Sequence, residues 1–360
     1  MLHKIDFYII KKFLGTFFYS IALIISISIV FDISEKLDDF ITKDVTVKAI
    51  VFEYYLNFVP YFANLFSGLF TFISVIYFTS KLAYNTEIIA ILSSGVSFNR
   101  LMRPYMVGAS VIVIFSYVLG NYIIPPANKK RVDFTNMYIG NKQSNAARQS
   151  NIHRQIEPGV FVYIDSYNAS ADVGYNFTIE KFVDKKLVSK LSSAHIKWDR
   201  EKKKWTIHNY SIRKIDGYTE TITTGAQIDT TLNMVPEDYR VIDNVVETMT
   251  LPALNEAISN LKLRGVNTID YEIEKHKRRS VPFSAIILTI IGVSLASRKV
   301  KGGIGLHLGL GLLLSFSYIL FMQITTVFAT SDLLAPWQAM WIPNILYGGL
   351  AFYLYRRAAR

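Results

Sequence analysis

Six long stretches without charged side chains, split three and three around a polar middle, constrain this chain most. They run over 13–31, 54–80, 104–127, 280–297, 302–331 and 333–355. Each reaches or exceeds the roughly 18–20 apolar residues that a helix needs to cross a bilayer. Hydrocarbon offers no hydrogen-bond partner to a backbone, so these stretches have to be helical. The sequence therefore predicts a polytopic α-helical membrane protein with six spans and one inserted domain.

The overall composition fits a membrane protein and argues against two other classes. The chain is 51% hydrophobic, carries a formal charge of +11 and contains no cysteine. Its lysines and arginines are dispersed, so we expect no nucleic acid as a partner, and contact with anionic lipid explains the basic excess. Without cysteine there is no disulfide and no thiolate metal site. The first stretch is interpreted as a retained helix, because no small-x-small motif closes it.

The charges flanking the spans predict their orientation. Basic residues precede span 1, connect spans 2 and 3, connect spans 4 and 5, and follow span 6. These residues are Lys4, Lys11, Lys12, Lys81, Arg100, Arg103, Arg298, Lys299, Lys301, Arg356, Arg357 and Arg360. The loop after span 1 is instead rich in Asp and Glu. Because positive flanks mark the cytoplasmic side, we expect both termini inside and the middle domain outside.

The outer domain reads as β-structure. We predict strands at 160–167, 175–182, 194–198, 205–213 and 218–223, with a hairpin tip at 199–204. Alternating apolar and polar residues and near-regular spacing favour an all-β, jelly-roll-like domain, although any small β-domain fits the same pattern. The expected division is 1–127 for spans 1–3, 128–250 for the β-domain, 251–279 for a helical connector and 280–360 for spans 4–6.

Two short segments have a composition that calls for a partner. Residues 85–95 combine an acidic first turn, an apolar body and a terminal glycine, which predicts a short cytoplasmic helix. It is too apolar for water, so it either lies on the membrane or docks on a protein. The basic run 275–279 either anchors to lipid headgroups or contacts a phosphorylated amphiphile.

The glycines at 305, 309 and 311 indicate close helix packing within the subunit or a moving gate.

Several motifs, taken in order, resemble one family across nearly the whole chain. They are Glu87-Ile-Ile-Ala-Ile-Leu-Ser-Ser-Gly95, Phe161-Val-Tyr-Ile-Asp165, Glu274-Lys-His-Lys-Arg-Arg-Ser-Val-Pro282, Ile291-Gly-Val-Ser-Leu295, Pro336-Trp337, Trp341-Ile-Pro-Asn344 and Arg356-Arg357. Together with the order three spans, β-domain, three spans, they resemble the lipopolysaccharide export permeases LptF and LptG (also YjgP/YjgQ), with a lean toward LptG.

The resemblance implies a permease subunit in the inner membrane with several partners. These are a second, paralogous six-span subunit (LptF- or LptG-like), a cytoplasmic ATPase dimer (LptB-like) and periplasmic bridge proteins (LptC- and LptA-like). Lipopolysaccharide is expected to enter laterally between helices 1 and 5 and to rise through the periplasmic β-domain to the bridge. The resemblance implies no cofactor for this chain.

The resemblance also implies roles for particular residues. Glu87 would face the ATPase, while Ile88, Ile91 and Leu92 would fill its groove. Lys36 and Lys43 would meet lipid A phosphates, with Arg278 and Arg279 as further candidates for that contact. Phe161, Tyr163, Phe177 and Trp205 would line a path for acyl chains, although alternation alone does not separate a lipid groove from a dry core.

Other functions find little support in the residues. The chain has no P-loop motif, so ATP-driven work has to come from a docked partner. Its spans hold few ionisable groups, which disfavours an ion-coupled carrier. His195 and His208 on neighbouring strands form at most a thin metal site, and no Gly-x-Ser-x-Gly occurs. A membrane-anchored partner-binding or sensory protein, or a permease of another ATP-driven exporter, remains an alternative.

Overall fold

The computed structural model describes residues 4–139, 149–168, 171–236, 245–263, 267–298 and 303–359. They form two compact units. One is helical and contains Met1–Tyr138, Val246–Leu254 and Ile269–Arg360; the other contains Ile139–Val245 and Asn255–Thr268 and is built on a β-sheet. A helical protein with several apolar spans and an inserted antiparallel sheet is therefore confirmed.

Thirteen α-helices are found in the described residues, seven before the sheet and six after it. They are α1 (Lys4–Thr42), α2 (Val47–Ala49), α3 (Leu56–Leu65), α4 (Ser67–Tyr84), α5 (Glu87–Ser93), α6 (Phe98–Val118), α7 (Ile124–Phe134), α8 (Val245–Thr248), α9 (Leu251–Leu263), α10 (Ile269–Ser280), α11 (Ser284–Ala296), α12 (Gly303–Thr330) and α13 (Pro336–Ala358). Wider π-helical turns join α2 to α3 and α6 to α7, and a 3₁₀ turn joins α10 to α11.

The expected number of six spans is not confirmed. Within the described residues, four helical segments are long and apolar enough to cross a membrane: Lys4–Thr42, Phe98–Ile139, Ile269–Ala296 and Gly305–Thr330. The pair Val47–Leu65 and Ser67–Tyr84, bent by 60°, makes a fifth if it is one span. Helix α13 covers the sixth predicted stretch with 23 residues, but it is not among these segments.

The helical unit is held by an apolar core between α1, α4, α6 and α11. Phe13 and Phe17 of α1, Val75 of α4 and Tyr105 of α6 are almost completely buried there. Small residues let the helices approach: a Cβ on Gly108 would lie 2.5 Å from Cδ1 of the Phe13 ring. Such contacts need glycine because any larger side chain would overlap a buried neighbour.

Six antiparallel strands form one sheet in sequence order. They are β1 (Gln149–Glu157), β2 (Val160–Asn168), β3 (Val173–Val183), β4 (Lys186–Asp199), β5 (Lys204–Asp216) and β6 (Thr219–Thr230). The predicted strands correspond to β2–β6, and the predicted hairpin tip lies between β4 and β5. A jelly roll is not confirmed, because each described strand pairs with its neighbours in sequence.

Left-handed residues close the hairpins. Asp184 and Lys185 both have positive φ, 51° and 63°, between the paired residues Val183 and Lys186. Two such residues form the tight turn whose twist matches that of the flanking strands. Gly159 has φ 76°, and a Cβ there would lie 2.6 Å from the Phe182 carbonyl oxygen, so only glycine fits.

A line of interruptions crosses the whole sheet. One residue in each strand lacks a ladder partner although the pairs on both sides are regular; these are Asn151, Asp165, Asn176, Ala194, Asn209 and Ala226. The three asparagines have φ of 56°, 50° and 50°, a conformation that asparagine tolerates better than most residues. Like a bulge, each shifts the alternation of side chains by one position. In β5 the core side therefore carries Trp205 and Ile207 before the interruption and Tyr210 after it.

The glycines of α12 provide a test of the packing. Gly311 faces buried Ile76, whose Cδ1 would lie 2.4 Å from a new Cβ, whereas Gly309 has no atom within 4 Å. We expect Gly311→Ala to lower the free energy of unfolding by about 1–3 kcal/mol through overpacking. Gly309→Ala should stabilise by up to about 1 kcal/mol, because alanine favours the helix. Thermal unfolding of both variants in the same detergent measures the two changes in stability. Equal changes would contradict the close contact between Gly311 and Ile76.

Candidate functional site

The short helix α5 is present within the segment expected to meet a partner. It runs over Glu87–Ser93, after Thr86 in a left-handed conformation (φ 63°) and before Gly95 (φ 89°). Glu87 is half-buried, and its carboxylate accepts a hydrogen bond of 3.3 Å from the Asn85 amide. The left-handed residues at both ends let the chain reverse direction sharply on either side of the helix.

The side chains that α5 buries and exposes differ from those expected from the sequence. Ile88 is completely buried in the core between α1, α4, α6 and α11, and Ile91 packs against the same core. Ile88 therefore cannot fill a groove of another protein in this conformation. Ile89, 48% exposed, and Leu92, 37% exposed, point outward instead. Residues three and four apart share a helix face, so the buried face of a short helix cannot be assigned from apolarity alone.

The chain after α5 is fastened to two other helices. Ser97 caps α6, because its hydroxyl accepts a hydrogen bond from the backbone N–H of Arg100. The Arg100 guanidinium donates two hydrogen bonds to buried Asp6 of α1, at 2.7 and 2.6 Å. Tyr355 of α13 bonds to the side chain of Asn99. A displacement of α5 would therefore act directly on the first turn of α6 and, through it, on α1 and α13.

Of the two lysines beyond span 1, only one is open to solvent. Lys36 is paired with Asp32 on the same helix and with the Tyr54 hydroxyl, and its ammonium lies 4.8 Å from the centre of the Tyr54 ring. Tyr55 completes the cluster with a 3.0 Å hydrogen bond to Asp32. The charge of Lys36 is thus largely balanced within the chain, whereas Lys43 is exposed.

The two candidate arginines of α10 have opposite environments. Arg278 is only 6% exposed and donates to Glu274 at 2.7 Å. It also donates to the carbonyl oxygens of Met249, Val246 and Glu247, at 2.7, 3.2 and 3.4 Å. These bonds hold the segment that includes α8 against α10, so Arg278 has a structural role and is not placed to meet a phosphate. Arg279 is exposed.

The four residues expected to line an acyl path lie on both sides of the sheet. Phe177 and Trp205 are completely buried in the sheet core with Ile164, and the Trp205 indole donates to the Met234 carbonyl at 2.9 Å. Phe161 and Tyr163 alternate in β2 with buried Val162 and Ile164, so they occupy the opposite face. Phe161 is 41% exposed. The four residues therefore do not form one continuous surface.

The His195–His208 pair is a stacked pair of rings. The residues face each other across β4 and β5, with ring centres 4.6 Å apart and planes 13° apart. Among the described residues, no group of three or more His, Asp or Glu could hold a metal. Burial, together with the positive charge of His208 and Lys197, lowers the pKa of His195 below its ordinary value.

Sequence reasoning missed two features of these regions. The first is that Ile89 points outward, whereas the adjacent Ile88 of the same motif was expected to meet the partner. The ion pair between Asp6 and Arg100 joins residues 94 positions apart. Asp6 lies in the first turn of α1, among lysines, and a lone carboxylate beside a predicted span is the signal that could have pointed to a buried partner.

The buried arginine makes a clear prediction. Arg278→Ala leaves three backbone carbonyls and Glu274 without their donor, so we expect a loss of about 3–5 kcal/mol in the free energy of unfolding. Arg279→Ala removes the same side chain one residue later from an exposed position and should leave the unfolding midpoint unchanged. Thermal denaturation of the purified full chain compares the two. An unchanged midpoint for Arg278→Ala would contradict the structural role.

The stacked histidines predict a pH dependence of stability. Because the pKa of His195 is lowered on folding, the unfolded chain takes up a proton more readily than the folded one. The contribution of neutral His195 to the free energy of unfolding is therefore fully present above about pH 6.5, and it is lost as the pH falls below that value. Between pH 8 and pH 5 the unfolding midpoint of wild type should fall further than that of the His195→Gln variant. Parallel curves would exclude the effect.

Comparison with known proteins agrees with the architecture. The sequence model of the family described as "Lipopolysaccharide export system permease LptF/LptG" matches residues 7–357, nearly the whole chain. It covers both paralogues and does not separate them. A search of curated proteins finds no match. The family match spans both the helical unit and the sheet, so the chain belongs to the LptF/LptG family of lipopolysaccharide export permeases.

Proposed function

We propose that this chain is the permease subunit of an ATP-driven lipopolysaccharide exporter that takes the lipid from the inner membrane and passes it to a periplasmic bridge. The observation that carries the proposal is the family match over residues 7–357. Both termini lie in the cytoplasm and the sheet lies in the periplasm, as the basic flanks of the spans support. The chain itself is not an enzyme in this proposal.

The energy comes from a separate cytoplasmic ATPase dimer that docks on α5. Outside its contacts with the core, α5 exposes two apolar side chains, Ile89 and Leu92, and it carries the half-buried carboxylate of Glu87 in its first turn. Such a face combines apolar area with one charge that sets the orientation of a partner. Ile88 and Ile91 support this face from below by anchoring α5 to the core of its own chain.

The second six-span subunit and the lipid meet this chain at α1 and α12. In each of these helices only 22% of the most apolar window is buried within the chain, compared with 44% in the segment Phe98–Ile139 and 61% in Ile269–Ala296. Such open apolar faces favour contact with lipid or with other transmembrane helices. This agrees with lateral passage of lipopolysaccharide between the first and fifth spans, as in the family.

Acyl chains follow the apolar face of the sheet toward the bridge proteins. Phe177 and Trp205, with Ile164 and Ile207, are buried on this face and become accessible to acyl chains only when the segment at Met234 that packs on them moves away, while Phe161 and Tyr163 belong to the other face. The row of left-handed asparagines allows the apolar face to continue on both sides of the interrupted line. Exposed Lys43 and Arg279 are the proposed contacts for lipid A phosphates, in place of Lys36 and Arg278.

Co-purification tests the coupling contact. The full chain is isolated from its native membrane in mild detergent, and associated proteins are identified by mass spectrometry. We expect a P-loop ATPase and a second six-span subunit with wild type. Glu87→Lys and Ile89→Asp should each lose most of the ATPase. The first reverses the charge that orients the partner, and the second adds a charge that has to be desolvated at the contact. The second subunit should be retained.

The control variant introduces an aspartate at an exposed position outside α5. Tyr218→Asp converts a fully exposed apolar residue in the β5–β6 turn to an acid and should leave the ATPase bound. Equal ATPase recovery from Ile89→Asp and wild type would remove α5 from the contact. Absence of any ATPase with wild type would remove the energy source and favour a membrane-anchored, partner-binding protein.

A further inference from the structure

A groove with mainly apolar walls lies in the helical unit. It has a volume of about 860 Å³ and is bordered mainly by α6, α11 and α13. Met106, Val107, Ile287, Ile290 and Phe352 supply its apolar walls. The volume falls within the roughly 300–1,000 Å³ of pockets that bind small ligands.

The polar end of this groove carries one unbalanced positive charge. Arg100 lies there but is neutralised by its two hydrogen bonds to Asp6. Arg103, one turn further along α6, is exposed and makes no ion pair or hydrogen bond with its side chain among the described residues. Asn99 and Tyr355 add uncharged polar groups beside the two arginines.

The rim of the groove is apolar and exposed, and in the orientation proposed above it faces the hydrocarbon layer. Val107 is 39% exposed and Phe352 61% exposed, and both belong to helices of the membrane unit. A soluble ligand would have to cross this apolar surface, whereas an acyl chain already lies against it. A cation beside such a surface, at the level where spans meet water, attracts an anionic headgroup.

We propose that this groove binds a phospholipid of the cytoplasmic leaflet, with an acyl chain between Met106 and Ile290 and the headgroup phosphate at Arg103. Guanidinium groups pair well with phosphate oxygens, which matches the unpaired charge. The leaflet assignment rests on the orientation proposed above. Because Arg103 lies in the same first turns of α6 as Asn99 and Arg100, the bound lipid supports the segment that fastens α5 to α1 and α13.

Two neighbouring glycines give a matched pair of variants. Gly348 lines the groove, and a Cβ there meets no atom within 4 Å. Gly349 is equally open but does not line the groove. A tryptophan at either position should therefore be accommodated without overlap at Cβ, yet only the one at 348 fills the groove.

Photo-crosslinking measures occupancy directly. The full chain is placed in nanodiscs of phosphatidylglycerol that carries a diazirine on its acyl chain, and crosslinked peptides are mapped. We expect wild type and Gly349→Trp to crosslink strongly at 102–107 and 287–290, and Gly348→Trp to lose that labelling. Arg103→Gln should reduce the labelling about fivefold, the loss expected for one cation near a charged membrane surface.

Three results would overturn the proposal. Equal labelling of the Gly348→Trp and Gly349→Trp variants would mean that the crosslinks report only the general lipid layer. Loss of labelling on addition of inorganic phosphate would make Arg103 a site for the free ion. Displacement by lipopolysaccharide would assign the groove to the exported substrate. No ATPase or second subunit is present in this assay, so its outcome is independent of the coupling experiment.

Discussion

Hydrocarbon cannot hydrogen-bond a peptide group, and the helical unit is organised around that constraint. It matters most where a helix is interrupted. Between α3 and α4 the chain bends by 60° at Phe66, next to polar Asn64 and Ser67. The Ser67 hydroxyl donates to the Asn64 carbonyl at 2.8 Å, and Ser116 of α6 donates to the Asn64 side chain at 2.5 Å. The break is therefore supported by hydrogen bonds from neighbouring side chains.

The same requirement explains several polar residues inside the spans. Asn344 of α13 accepts a hydrogen bond from Tyr318 of α12 at 2.8 Å and donates one to the Ser280 carbonyl at 2.9 Å, so it ties three helical segments together. Thr79 of α4 donates to Tyr105 of α6 at 3.1 Å. Such residues act as internal connections between helices. Their use in packing fits a permease that moves an amphiphile along helix faces better than an ion carrier, which needs polar groups directed at a path.

Periodicity and charge predicted the larger elements, because those depend on local sequence. The uncharged stretches became helices, and strands β2–β6 followed the alternating segments. Strand β1 was missed because Gln149–Glu157 is mostly polar, with Ile152 and Ile156 as its apolar residues. The orientation of individual side chains was harder to predict. Ile88 and Ile89 are chemically identical, and only the neighbouring helices determine which of them is buried.

The basic residues show how neighbours decide what a charge can do. Lys36 and Arg278 were as plausible as Lys43 and Arg279 from sequence, yet the first two are surrounded by acceptors from their own chain. A buried arginine bonded to backbone carbonyls has no donors left in a geometry that suits a phosphate, and withdrawing it would leave those carbonyls unpaired. An exposed lysine or arginine keeps its N–H donors available for a phosphate. The candidate contacts for lipid phosphates therefore reduce to the exposed cations, and the buried ones become part of the frame that positions them.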